Sequence, residues 1–225
     1  MAWRDWVRTV EGEPSLYAAD FSRLGDQLTH LLNAGARVMH FDIGDGHFVE
    51  PVTIGPVVLE SIAPLVHEAG GFLDCHLMVD NPERHIPQVK KAGGDSVTFH
   101  VEVCDDVPAL LALAREHGLG VGVAFNPETD VEEAVEAAAD ADLALCMSIH
   151  PGYSGQEFMP EALARLRQLR EQLPGDVFVQ VDGGITHDNV RTAHEAGADL
   201  LVAGSAIFDR EDQVRAYHRL VQALA

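Results

Sequence analysis

Along this chain, short apolar and β-branched runs alternate with stretches whose apolar residues recur at helical spacing. The apolar runs fall at 14–18, 37–43, 72–77, 96–101, 119–124, 143–147, 177–182 and 199–203; helical patterns between and after them include 22–33, 82–92, 107–117, 131–139, 160–173, 187–196 and 210–224. Gly35, Gly93, Gly118 and Gly197 sit just past the last turns of several of these patterns, where a helix needs a breaker. A strand followed by a helix and another strand returns the chain in the same direction, so the repeated unit implies a parallel sheet. Eight such units in 225 residues, with no linker or low-complexity break, predict an α/β protein with a single (β/α)8 TIM barrel. On this reading residues 1–13 are an N-terminal extension and residues 14–225 the barrel domain. A doubly wound open sheet is disfavoured because no Gly-x-Gly-x-x-Gly follows the first strand.

A barrel gives its strand ends a meaning, since active sites of this architecture form at the C-terminal ends of the strands. Side chains alternate faces along a strand, which puts His40 and Asp42 together on one face, with Phe41 and Ile43 on the other. The third strand ends with Asp74 and His76 and the fourth with His100; the sixth runs into His150 and the seventh ends with Asp182. Any one of these alone is more often a hydrogen-bonded structural residue than a ligand. Together, His40, Asp42, His76 and Asp182 supply two imidazoles and two carboxylates without thiolate. That donor set suits one divalent metal ion, Zn²⁺, Mn²⁺, Fe²⁺ or Co²⁺. Asp42 and Asp182 come from strands far apart around the wall, as two-base proton transfer at a carbon centre requires.

Glycine-rich turns follow the last three strands: Gly152-Tyr153-Ser154-Gly155, Gly183-Gly184 and Gly204-Ser205. Barrels commonly grip phosphate with backbone N–H groups after the seventh and eighth strands, so a phosphate site is the better reading of their placement. Composition narrows the alternatives. A net charge of −21 argues against nucleic acid or an anionic membrane as partner. Lys90 and Lys91 are the only lysines and neither is at a strand end, which disfavours Schiff-base chemistry. Cys75, Cys104 and Cys146 form no Cys-x-x-Cys pair, and no run approaches the roughly 20 apolar residues of a membrane span, so a cytoplasmic location is expected.

Several segments, taken in order, resemble the ribulose-phosphate 3-epimerase family. They are Pro14-Ser15-Leu16 with Ala19-Asp20-Phe21, His40-Phe41-Asp42 with Asp45-Gly46-His47-Phe48, and Asp74-Cys75-His76-Leu77-Met78. Asn126-Pro127, Met147-Ser148, Pro151 to Gln156, Val181-Asp182-Gly183-Gly184-Ile185 and Val202-Ala203-Gly204-Ser205-Ala206 complete the set. The resemblance implies that His40, Asp42, His76 and Asp182 ligate the metal and that Asp42 and Asp182 are the acid–base pair. It implies substrate contacts at Ser15 and His76, and a phosphate-side region of Gly152, Tyr153, Ser154, Gly155, Gly183, Gly184, Gly204 and Ser205. The implied reaction interconverts D-ribulose 5-phosphate and D-xylulose 5-phosphate through a cis-enediolate, in an enzyme that forms homo-oligomers. A related ketose-phosphate 3-epimerase, such as one acting on allulose 6-phosphate, shares these motifs; a catalytically silent sugar-phosphate-binding barrel would be expected to have lost one of them. The chain departs from the family pattern at Gly44, where methionine is usual, and at Gly12 and Glu13, where the first strand is usually apolar. Gly44 reads either as drift or as an enlargement of the pocket that favours a longer ketose phosphate.

Overall fold

The computed structural model describes Trp3, Trp6, Val7 and residues 10–224. Among the described residues eight parallel strands form one sheet: β1 (Glu11–Pro14), β2 (Val38–Gly44), β3 (Phe72–Met78), β4 (Ser96–His100), β5 (Gly120–Phe125), β6 (Leu143–Met147), β7 (Phe178–Asp182) and β8 (Leu200–Ala203). Neighbours run in the order β1-β8-β7-β6-β5-β4-β3-β2, and a parallel bridge between Ser15 and His40 brings the two ends together into a barrel. The connecting helices are α1 (Leu24–Asn33), α2 (Pro56–Glu68), α3 (Pro82–Ala92), α4 (Val107–Glu116), α5 (Val131–Ala138), α6 (Ala162–Gln172) and α7 (Val190–Glu195); α8 (Ser205–Phe208) and α9 (Gln213–Leu224) follow β8. None of these helices is long and apolar enough to cross a membrane.

Two elements depart from the sequence reading. The first strand ends at Pro14, where 14–18 was expected, and residues Leu16–Ala18 turn into a 3-10 helix. Its polar letters hid it: Glu11, Gly12 and Glu13 pair with Leu200, Leu201 and Val202, and Glu13 is wholly buried. Helix α2 was not among the patterns identified, because Pro56 and Pro64 interrupt its apolar period. Pro56 stands in the first turn, where the missing N–H costs nothing.

The outward faces of the strands, including Met39, Phe41, Leu73, Cys75 and Val97, are buried in the main apolar core with helix residues such as Leu28, Leu59, Val89 and Leu166. Each fully buried Leu, Val or Phe contributes about 1.5–3 kcal/mol. The barrel interior divides by chemistry. Leu143, Leu145, Met147, Ala124 and Leu200 form an apolar column that packs on Trp3 and Trp6. Trp6 stacks on Phe72 at the start of β3, with centroids 4.9 Å apart, and so helps close the base of the barrel. The other half, from β1, β2, β3, β4 and β7, is polar and buried: Glu13, His40, Asp74, His76, Ser96, Thr98, His100 and Gln180 are each 0% exposed. That polar half supports the mouth.

Candidate active site

Register determines what meets at the mouth. Asp42 is paired with His76 across β2 and β3, while Asp182 arrives from β7, separated from β2 by β8 and β1. His40 Nε2 lies 3.2 Å from Asp42 Oδ1 and 3.8 Å from Asp182 Oδ2. His76 Nδ1 lies 3.2 Å from the same Asp42 oxygen and 3.9 Å from Asp182 Oδ2. One donor atom from each of the four residues falls within 4.8 Å of all the others. His40 Nε2 is buried and has no hydrogen-bond partner, so an imidazole lone pair is aimed at a point ringed by three other ligand atoms. Nitrogen and oxygen donors converging in this way fit a divalent metal ion.

Outer partners fix the direction of each ring. His40 Nδ1 is 3.0 Å from Asp74 Oδ2, and Asp74 Oδ1 accepts from Ser96 Oγ at 2.7 Å. On the other side His76 Nε2 is 2.8 Å from His100 Nε2, and His100 Nδ1 is 3.1 Å from Glu102 Oε2. Glu102 in turn accepts from the backbone N–H of Asn126 and from the Thr129 hydroxyl. In the tautomer that leaves His76 Nδ1 without a proton, its Nε2–H donates to His100, whose Nδ1–H then donates to Glu102. Each hydrogen in this chain has one consistent place. Ser15 Oγ donates to Asp42 Oδ2 at 2.7 Å and so holds the face of that carboxylate turned away from the two rings.

The two carboxyl groups are pushed apart in acidity by their surroundings. Burial would raise Asp42, but the adjacent His40 and His76, by charge and hydrogen bonding, hold it far below the ordinary carboxylate range. Burial and then the charge of Asp42 push Asp182 up to about 7. Burial lowers His40 taken alone; Asp42 and Asp74 outweigh it and raise this histidine well above its usual value. His100, desolvated, falls to about 4 and stays neutral.

Above the cluster opens a cleft. It is lined by Ser15, Asp42, Asp182, Gly152, Tyr153, Ser154, Gly155, Gly183, Gly184, Gly204 and Ser205, so these expected site residues share one wall system. His40 and His76 are fully buried beneath it and do not line it. His150 points elsewhere, exposed and paired with Glu128. Tyr17, Met78, Met147, Ile149, Pro151, Ile185 and Val202 complete the wall, and no Lys or Arg is among the lining residues. Of these, sequence reasoning missed Tyr17 and Ile149, which lie two residues beyond Ser15 and Met147. Gly183 and Gly184 have φ of +119° and +64°, and a Cβ would collide with Ile149 at the first and the backbone of Phe158 at the second. Only glycine allows the chain to turn there with its backbone facing the cleft.

Gly44 does not enlarge this cleft. A Cβ there would lie 2.8 Å from Val49 Cγ2, 3.0 Å from Thr53 Cγ2 and 3.1 Å from the Pro51 carbonyl. The loop after β2 has folded into the space a side chain would take. Thr53 holds it, accepting from Gly44 N at 2.6 Å and donating to the Asp42 carbonyl at 2.7 Å.

The fold is a (β/α)8 barrel whose strand ends carry a buried His/Asp cluster compatible with a divalent metal ion. Residues 12–208 match the ribulose-phosphate 3 epimerase family. Ribulose-phosphate 3-epimerase of Escherichia coli strain K12 is 40% identical over 215 residues, covering 94% of this chain and 95% of its own. That of Bacillus subtilis is 37% identical over 211 residues, covering 92% and 96%. The chain belongs to the ribulose-phosphate 3-epimerase family. Solved structures share its fold at low identity. 3-Hexulose-6-phosphate synthase from Salmonella typhimurium has a TM-score of 0.71 at 18% identity, covering 96% of this chain and 98% of its own. Orotidine 5'-phosphate decarboxylase from Pyrococcus horikoshii has a TM-score of 0.70 at 16% identity, covering 95% and 98%.

Proposed function

We propose that this enzyme interconverts D-ribulose 5-phosphate and D-xylulose 5-phosphate by inverting C3. The observation that carries the reading is the convergence of Asp42 and Asp182, from non-adjacent strands, with His40 and His76 buried just beneath a cleft walled by glycine backbone. His40 Nε2, His76 Nδ1 and one oxygen of each aspartate would hold one divalent metal ion. When bound, such an ion polarises the substrate carbonyl and offsets the negative charge that develops on its oxygen.

The protein's own groups handle the proton. One aspartate takes the proton from C3, leaving an enediolate; the other gives a proton to the opposite face of that carbon. Ser15 steadies Asp42 by its hydrogen bond, and the apolar side chains of Met78, Met147, Ile149 and Ile185 keep water from the reacting carbon. Backbone N–H groups of the segments at Gly152–Gly155, Gly183–Gly184 and Gly204–Ser205 receive the phosphate. They neutralise an anion without lysine or arginine, which suits so acidic a protein. With the space at Gly44 filled by its own loop, nothing there favours a longer sugar.

The test is NMR of D-ribulose 5-phosphate incubated with protein of measured metal content. Appearance of xylulose 5-phosphate supports the reading. Turnover of a six-carbon ketose phosphate but not of ribulose 5-phosphate would replace it with the related epimerase, and turnover of neither by metal-loaded protein would leave a sugar-phosphate-binding barrel.

A further inference from the structure

Below the four-residue cluster the barrel interior holds another polar layer that does not touch the cleft. Gln180 and Glu13 lie two residues before Asp182 and Ser15, so strand alternation turns both inward. Gln180 Nε2 donates to Glu13 Oε2 at 2.5 Å and to Asp74 Oδ2 at 2.8 Å. The same Asp74 oxygen faces His40 Nδ1 at 3.0 Å. Glu13 Oε1 and Gln180 Oε1 are buried with no hydrogen-bond partner. Two apolar side chains would fill this volume without orphaned oxygens or neighbouring carboxyl groups, so packing alone does not account for the pair.

We propose that Glu13 and Gln180 are positioning residues for the metal centre. Gln180, held from behind by Glu13, fixes the Asp74 carboxylate, and Asp74 keeps His40 in the tautomer with hydrogen on Nδ1 and Nε2 aimed into the cluster. The inference rests on the metal-binding reading of that cluster. As placed, the amide directs its N–H groups at both carboxyl groups. Glu13, His40 and Asp74 also bring ligand-type atoms within 4.8 Å of one another, which invites a second cation. The amide nitrogen of Gln180 lies within hydrogen-bonding distance of both carboxyl groups, and His40 Nδ1 is already committed to Asp74. The amide thus does by hydrogen bonding what a cation would do by charge.

The experiment compares wild type with Gln180→Met, Glu13→Gln and the double variant Glu13→Met/Gln180→Met. It reads the Kd for Co²⁺ by chelator competition, the visible d–d spectrum of the cobalt protein and the melting temperature. Gln180→Met is expected to weaken Co²⁺ binding about 10–100-fold and alter the spectrum, as loss of an outer-shell partner does. Glu13→Gln keeps an acceptor for Gln180 and should bind as wild type does. The double variant removes both orphaned partners together, so its melting temperature recovers while Co²⁺ binding stays weak. Wild-type affinity and spectrum in the double variant, or affinity that merely follows melting temperature, would overturn the proposal. Failure of the wild type itself to bind Co²⁺ would instead remove the metal reading, and the inference with it.

Discussion

Replacing Gly44 by alanine adds one carbon at a crowded point just beyond Asp42. That carbon would stand 2.8 Å from Val49 Cγ2 and 3.1 Å from the Pro51 carbonyl oxygen, well inside ordinary van der Waals separation. Val49 can give only by moving the loop, because it is 3% exposed and packs where a Cβ on Gly152 would lie 3.3 Å away. Overpacking of this kind costs about 1–3 kcal/mol. If the loop shifts, the Thr53 bonds to Gly44 N and the Asp42 carbonyl weaken as well, at about 1 kcal/mol each. A loss of about 2 kcal/mol corresponds to a fall in melting temperature of about 4–8 °C for a chain of this size. The loop also meets the opposite wall, where Tyr153 donates to Glu50 at 2.9 Å, so KM should rise more than kcat falls. Val49→Ala removes the offending methyl group and should return most of the lost stability to Gly44→Ala, giving a coupling of about 1 kcal/mol or more in a double-mutant cycle. Thermal melts and steady-state kinetics of the four proteins make the test. A Gly44→Ala protein as stable as wild type, or no coupling to Val49, would refute the claim that the loop occupies the position of a side chain.

Three further outcomes follow from other parts of the barrel. Glu102 is held down to about 2 against burial by His100, Asn126 and Thr129. Its contribution to stability is therefore present above about pH 4.5 and lost as pH falls towards 2; Glu102→Gln should flatten urea-determined stability over that range. Trp6→Ala empties a stacked, buried site at the base of the barrel and should cost about 3–5 kcal/mol by denaturant melts, with KM unchanged. Because net charge is −21, self-repulsion is strong at low ionic strength, and scanning calorimetry should find a higher melting temperature as salt is raised from about 0.01 to 0.15 M.

Strand alternation made His40 and Asp42 legible as one face of one strand, and barrel topology made Asp182 their neighbour although 140 residues separate it from Asp42. What stayed hidden was whatever contradicts the average chemistry of its element. Glu13 is a buried carboxyl group in a strand, so its letters read as the end of an N-terminal extension. Helix α2 lost its period to two prolines. Gly44 showed that a missing side chain need not leave a hole, because the occupant came from a loop whose path no local pattern encodes. The pairing of His76 with His100, and of His100 with Glu102, depends on ring directions set by three strands at once, which spacing along one strand does not reveal.

The central claim is that Asp42 and Asp182 each serve one face of the same carbon. The direct measurement is NMR of C3 deuterium incorporation in D₂O, starting separately from ribulose 5-phosphate and from xylulose 5-phosphate, with metal-loaded wild type, Asp42→Asn and Asp182→Asn. The account predicts exchange from both sugars by wild type, no epimerisation by either variant, and residual exchange with a different sugar in each. Exchange from both sugars by a variant that lacks one of the two carboxylates would contradict it.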